Sequence, residues 1–151
     1  MMKTVYLQDW VLKIDVEKTK EYYNSITVEE GCDCDYCKNY IMNCNTFSKE
    51  VMDFYTILGI APRKEGEFME YETDINTNEH LYMGLYHLVG KSVKRPSAGI
   101  RKWDDLNIIG IDNVKFIFTD ELDLVSENFP RPVLQLEFEV TLPWLLKEKH
   151  L

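Results

Sequence analysis

From Val133 to Leu142 the chain alternates without a break. Leu134, Leu136, Phe138, Val140 and Leu142 fall on one side, Gln135, Glu137, Glu139 and Thr141 on the other. A period of two over that length describes a strand with one apolar and one polar face, as in an antiparallel sheet that covers a core on one side only. The rest of the chain is organised around the same period. Trp10, Leu12, Ile14 and Val16 alternate with Val11, Lys13 and Asp15, and Met69, Tyr71, Thr73 and Ile75 with Glu70, Glu72 and Asp74. Asn76, Thr77 and Asn78 then mark a turn, and His80 to Val89 reads as the returning hairpin partner. Residues 107–119 add further strand, and Phe129-Pro130-Arg131-Pro132 is a rigid connector into the last one.

The helical signals are confined to one stretch. A helix is expected over 17–26, capped near Asp15 or Val16, with Tyr22, Tyr23 and Ile26 as its apolar stripe. Tyr36, Tyr40, Ile41 and Cys44 recur at helical spacing from Asp35 onward. Ser48 caps a third helix whose stripe is Val51, Phe54, Tyr55 and Leu58, and Gly59 followed by Pro62 stops it. Helices collected between about 17 and 58, with strands in sequence-local runs, predict an α+β fold: an antiparallel sheet with helices on one face.

At 151 residues the chain reads as one domain, 1–151, and a domain of that size buries roughly 68–70% of its unfolded surface. That core needs no disulfide staples. The first ten residues carry one Lys, no signal-length apolar run and an interrupting Asp9, and no stretch approaches the ~20 apolar residues of a membrane span. The expected setting is therefore soluble and cytoplasmic, where thiols stay reduced. A net charge of -9 argues against nucleic acid as a partner. One stretch runs against that charge: Lys91, Lys94, Arg95, Arg101 and Lys102 lie in 91–102 with no acid among them. With Pro96 and Gly99 inside, it reads as a mobile basic loop, the ordinary solvated kind unless it receives an anion or an acidic partner.

Cys32, Cys34 and Cys37 fall within six residues, and Cys44 follows. Three thiols that close suit a structural Zn²⁺, each sulfur ~2.3 Å from the metal. Cys44 is set apart, because seven residues of continuous helix would carry it ~10.5 Å along the axis from Cys37. The fourth ligand is open. His80 and His87 are the candidates, although on a straight strand they face opposite ways ~23 Å apart, and each also reads as an ordinary core or rim histidine. His150 lies at the chain end. Two other readings stay beside zinc: a dithiol oxidoreductase using Cys34 and Cys37, and a loop ordered by small buried thiols with no ligand. Glu29, Glu30, Asp33 and Asp35 oppose thiolate formation unless a cation is present, which favours metal over redox. Asp120, Glu121, Asp123 and Glu127 lack the Gly and spacing of a calcium loop and read as a solvated acidic turn. No phosphate loop, nucleophile elbow or metalloprotease His pair occurs, so no catalytic residue is assigned and catalysis has little support.

The run Cys32-Asp-Cys34-Asp-Tyr36-Cys37-Lys-Asn39-Tyr40, the stretch His80-Leu-Tyr82-Met-Gly84-Leu-Tyr86-His87, and the segment from Glu127 through Pro130, Pro132 and Phe138 to Trp144 together carry a resemblance. The chain resembles a family of small uncharacterised bacterial proteins with a Cys-x-Cys-x-Tyr-Cys-x-Asn motif. The resemblance implies a bacterial, cytoplasmic, single-domain protein, and supplies neither an activity nor functional residues.

Overall fold

The computed structural model describes residues 1–26, 35–64, 67–74, 76, 79–96 and 102–146. The elements run β1 (Lys3–Leu7), β2 (Trp10–Ile14), α1 (Val16–Asn24), α2 (Asp35–Cys44), α3 (Lys49–Leu58), β3 (Glu67–Asp74), β4 (Glu79–Lys94), β5 (Ile109–Ile111), β6 (Val114–Thr119) and β7 (Val133–Pro143). All strands pair antiparallel in one seven-stranded sheet, ordered β1-β2-β4-β7-β6-β5, with β3 also on β4. The fold is α+β, as the periodicities predict.

The sheet is built on β4. One edge pairs with β7 from Glu79↔Pro143 to Val89↔Val133. The other edge is shared: β3 takes residues up to Leu85, and β2 takes those from Gly90. Between them, among the described residues, neither β2 nor β3 pairs with His87 or Val89. Helix α1 fills that gap. The Tyr23 hydroxyl donates to the His87 carbonyl at 2.8 Å and accepts from its N–H at 3.3 Å. Thr19 Oγ1 accepts from the Val89 N–H at 2.9 Å, and the Asp15 N–H donates to the Val89 carbonyl at 2.8 Å. Buried backbone groups demand partners, and here side chains of a helix stand in for a strand.

Local signals set the helices as expected. Asp15 caps α1 by accepting from the Lys18 N–H, Ser48 caps α3 by accepting from Val51, and Gly59 ends α3 at φ 79°. A side chain at Gly59 would be strained by that φ, and its Cβ would lie 2.6 Å from the Val16 carbonyl, so α1 and α3 approach this closely only over a glycine. The helical face of the sheet is a nearly continuous aromatic core. Tyr40 stacks on Phe138 and Phe138 on Tyr86, each at 5.5 Å between ring centroids, and Phe54 stacks on Phe116 at 4.4 Å.

The further strand expected over 107–119 is the hairpin of β5 and β6, with Asp112 at φ 52° in its turn. Other expectations need correction. Met1–Trp10 holds β1, which its weak alternation concealed. The basic stretch is not all loop: Lys91 and Lys94 complete β4, paired with Lys13 and Val11. The polar face of β7 is not wet throughout, since Gln135 is fully buried and Glu137 half-buried. Phe129 lies over this end of the sheet, its ring 4.4 Å from Tyr22 and 5.9 Å from His87. Of the turn expected at 76–78, Thr77 and Asn78 lie outside the described residues.

Because Thr19 and Tyr23 satisfy buried backbone groups, Thr19→Val and Tyr23→Phe are each expected to lower the free energy of unfolding by about 1–3 kcal/mol. Urea denaturation measures this. Wild-type stability in both variants would mean that α1 does not hold the open edge of β4.

Candidate functional site

Of the clustered cysteines, Cys37 lies in the first turn of α2. Cys32 and Cys34 lie outside the described residues; Cys37 is buried within that turn at 6% exposure. The helix continues unbroken to Cys44, so the axial separation that sets Cys44 apart holds. Two asparagines dock α2. Asn39 Nδ2 donates to the Pro143 carbonyl and to the Tyr82 hydroxyl, while its Oδ1 accepts from the Leu145 N–H at 2.6 Å. Asn43 Nδ2 also reaches the Pro143 carbonyl, at 3.0 Å. Both are fully buried. The inner face of α2 is thus Cys37, Asn39, Tyr40, Asn43 and Cys44, with Ile41 only half-buried.

This docking brings one of the two candidate histidines to the helix start. His80 is fully buried on the helical face of β4, its ring 4.7 Å from Trp144 and 6.2 Å from Tyr36, the neighbour of Cys37. Tyr36 and Trp144 meet edge to face at 5.7 Å. The Tyr82 hydroxyl closes the assembly by donating to the Tyr36 carbonyl at 2.9 Å. His87 goes elsewhere. It lies on the other face of the sheet, Nε2 at 3.1 Å from Gln135 Oε1, and so joins a separate polar network. His150 lies outside the described residues. Among the described residues, no three His, Cys, Asp or Glu side chains form a group that could hold a metal ion.

The network around Gln135 joins the two charged features of the sequence. Gln135 Oε1 also accepts from the Asp123 N–H at 2.7 Å, and its amide donates to Asp123 and Glu137. Lys102 and Trp103 both donate to Glu137, at 2.9 and 3.3 Å. Partial burial opposes the Lys102 ammonium, but Glu137, with Glu121 and Asp123 beyond it, outweighs this and raises its pKa above the ordinary lysine value. Lys102 is therefore held by acids of its own chain, while Arg101 lies outside the described residues.

A third group of polar atoms sits in the core. Tyr86 donates to the Pro62 carbonyl at 2.6 Å, and its hydroxyl lies 2.7 Å from that of Tyr40. The Cys44 thiol points at the same carbonyl, 3.7 Å away. Burial raises the pKa of Tyr40, Tyr55 and Tyr86, and pushes the Cys44 thiol up from 9.0 to about 12. Burial holds all four toward their protonated forms, and Tyr40, Tyr86 and Cys44 serve as hydrogen-bonded packing around the Pro62 carbonyl.

Sequence reasoning missed Asn39, Asn43 and Gln135, since polar residues on an apolar period read as surface. The pair Asn39/Asn43, one turn apart and flanking Tyr40, was the available signal. Comparison with protein-family models, curated proteins and solved structures finds no match.

Cys44 carries a pH dependence. Its folded pKa is raised, so its contribution to stability is complete below pH 9.0 and is lost as pH rises toward about 12. Cys44→Ser keeps a donor toward Pro62 but removes this titration. Its alkaline loss of stability, followed by circular dichroism, is expected to be shallower than wild type over that range; identical curves would place the thiol in a wetter site.

Proposed function

We propose that this protein is a non-catalytic binding module whose cysteine segment is fixed by a structural zinc, held by the thiolates of Cys32, Cys34 and Cys37 with His80 as the fourth ligand. The observation that carries the reading is the convergence at the start of α2. Cys37 is buried in the first helical turn, and the next residue back, Tyr36, packs beside a fully buried histidine. Three thiolates and one imidazole make a closed tetrahedral set, the type that stabilises a fold and leaves no position for a substrate. Contact between the His80 ring and Trp144 suits this role, because a ligand imidazole is held in orientation by what surrounds it. His87 is withdrawn from the ligand set, since Gln135 engages its Nε2 on the opposite face.

Burial of Cys37 works against the dithiol alternative with Cys34, which requires a thiol that a partner disulfide can reach. The resemblance to a bacterial family with a Cys-x-Cys-x-Tyr-Cys-x-Asn motif names no activity. No helix among the described residues is long and apolar enough to cross a membrane. We place the protein in the cytoplasm, where reduced thiols remain available for metal.

Elemental analysis of untagged protein, purified without added metal, is expected to find one zinc per chain. Cys32→Ser, Cys34→Ser and Cys37→Ser should each lower both metal content and melting temperature, while Cys44→Ser and His87→Gln keep the metal. Chelation should expose thiols that react slowly beforehand. Metal loss in Cys44→Ser, or fully stable protein without metal, would contradict the assignment.

A further inference from the structure

The far end of β4 carries a second feature. Strand β7 begins at Val133, opposite Val89, so β4 past Gly90 has no β7 neighbour. Strand β6 ends at Thr119, opposite Gln135. The space between these two strand ends is a cleft of about 440 Å³, within the range of small-molecule sites. Trp10 and Phe118, in edge-to-face contact at 5.4 Å, lie beneath it, and Val93 forms part of its wall. Arg95 enters from the end of β4, and Asp120 and Glu121 from the end of β6.

The charges of this cleft do not neutralise one another. Among the described residues neither Arg95 nor Asp120 makes an ion pair within 4.0 Å, and the one contact of Glu121 is at that limit, with Lys102. A guanidinium and two carboxylates therefore face one cavity with their charges unspent on each other. An anion would gain from Arg95 but be repelled by two carboxylates; a cation would meet the reverse. One class of small molecule is attracted by both walls: a zwitterion, whose ammonium faces Asp120 and Glu121 and whose carboxylate forms a charge-assisted pair with the Arg95 fork. Trp10, Phe118 and Val93 line the same cleft and give a short aliphatic side chain an apolar surface to pack on.

We propose that this cleft binds a free α-amino acid, with Arg95 as carboxylate receptor and Asp120 and Glu121 as ammonium receptors. The site is independent of the cysteine segment. His80 and Ser92 are twelve residues apart on one strand, about 40 Å, so metal and amino acid occupy opposite ends of the sheet.

The test is titration of the full-length, isotopically labelled protein with L-alanine, L-leucine and L-glutamine, followed through backbone amide shifts. Saturable shifts at Val93, Arg95, Asp120 and Glu121 are expected for at least one of the three. For that amino acid, the N-acetylated and the carboxamide forms should each bind roughly tenfold more weakly or worse, since each removes one charged pair. Arg95→Gln, and Asp120→Asn combined with Glu121→Gln, should weaken binding to a similar degree. All three positions are exposed, so the variants should fold, and their unaltered spectra elsewhere would establish it. No saturable shift with any of the three amino acids would overturn the proposal. So would blocked forms that bind as well as the parent, or variants that bind like wild type.

Discussion

The structure depends on how the open edge of β4 is satisfied. A strand of sixteen residues running through a small sheet needs partners along both edges, and β2 and β3 together leave the edge bare at His87 and Val89. Tyr23 and Thr19 supply the missing hydrogen bonds from a helix. That substitution fixes where α1 lies, and Gly59 then lets α3 approach α1 where any Cβ would lie 2.6 Å from the Val16 carbonyl. With α1 and α3 placed, the aromatic face of the sheet is roofed over, and α2 is drawn down onto the end of β7 by Asn39 and Asn43. An unpaired backbone group in such a setting costs about 1–3 kcal/mol, a large share of a domain's net stability.

Burial has a chemical consequence. The tyrosines and the thiol at the centre are pushed toward their protonated forms, which removes them from acid–base work near neutral pH. At one end of β4, His80 packs beside Tyr36 at the start of α2; at the other, Arg95 lines a cleft with Asp120 and Glu121. Between them, on the outer face, the Gln135 network ties His87, Asp123, Glu137 and Lys102 together and serves to seal the sheet.

Much of the fold was legible in the sequence because its signals were local. The alternation of β7, the Asp15 and Ser48 caps and the Gly59 stop each rest on residues within one turn or one strand, and each stands where expected. What escaped was non-local. Nothing near Lys91 tells that β2 will pair with it, so from sequence alone this strand end reads as loop. Thr19, Asn39, Asn43 and Gln135 look like surface residues until the backbone groups they satisfy, some of them a hundred positions away, are in place. The same limit holds for the sites: cysteine spacing was visible, but which histidine lies beside α2, and that Arg95 and Asp120 share a cleft, depend on how strands distant in sequence come together.

The claim that most of the functional account rests on is that the start of α2 carries a closed metal site completed from β4. X-ray absorption at the zinc edge, on protein purified without added metal, tests it directly. The account predicts a four-coordinate shell of three sulfurs at about 2.3 Å and one imidazole nitrogen at about 2.0 Å. A shell of four sulfurs would bring Cys44 out of the core and remove His80, and a shell of oxygens alone would mark surface-bound metal. Either result would contradict it.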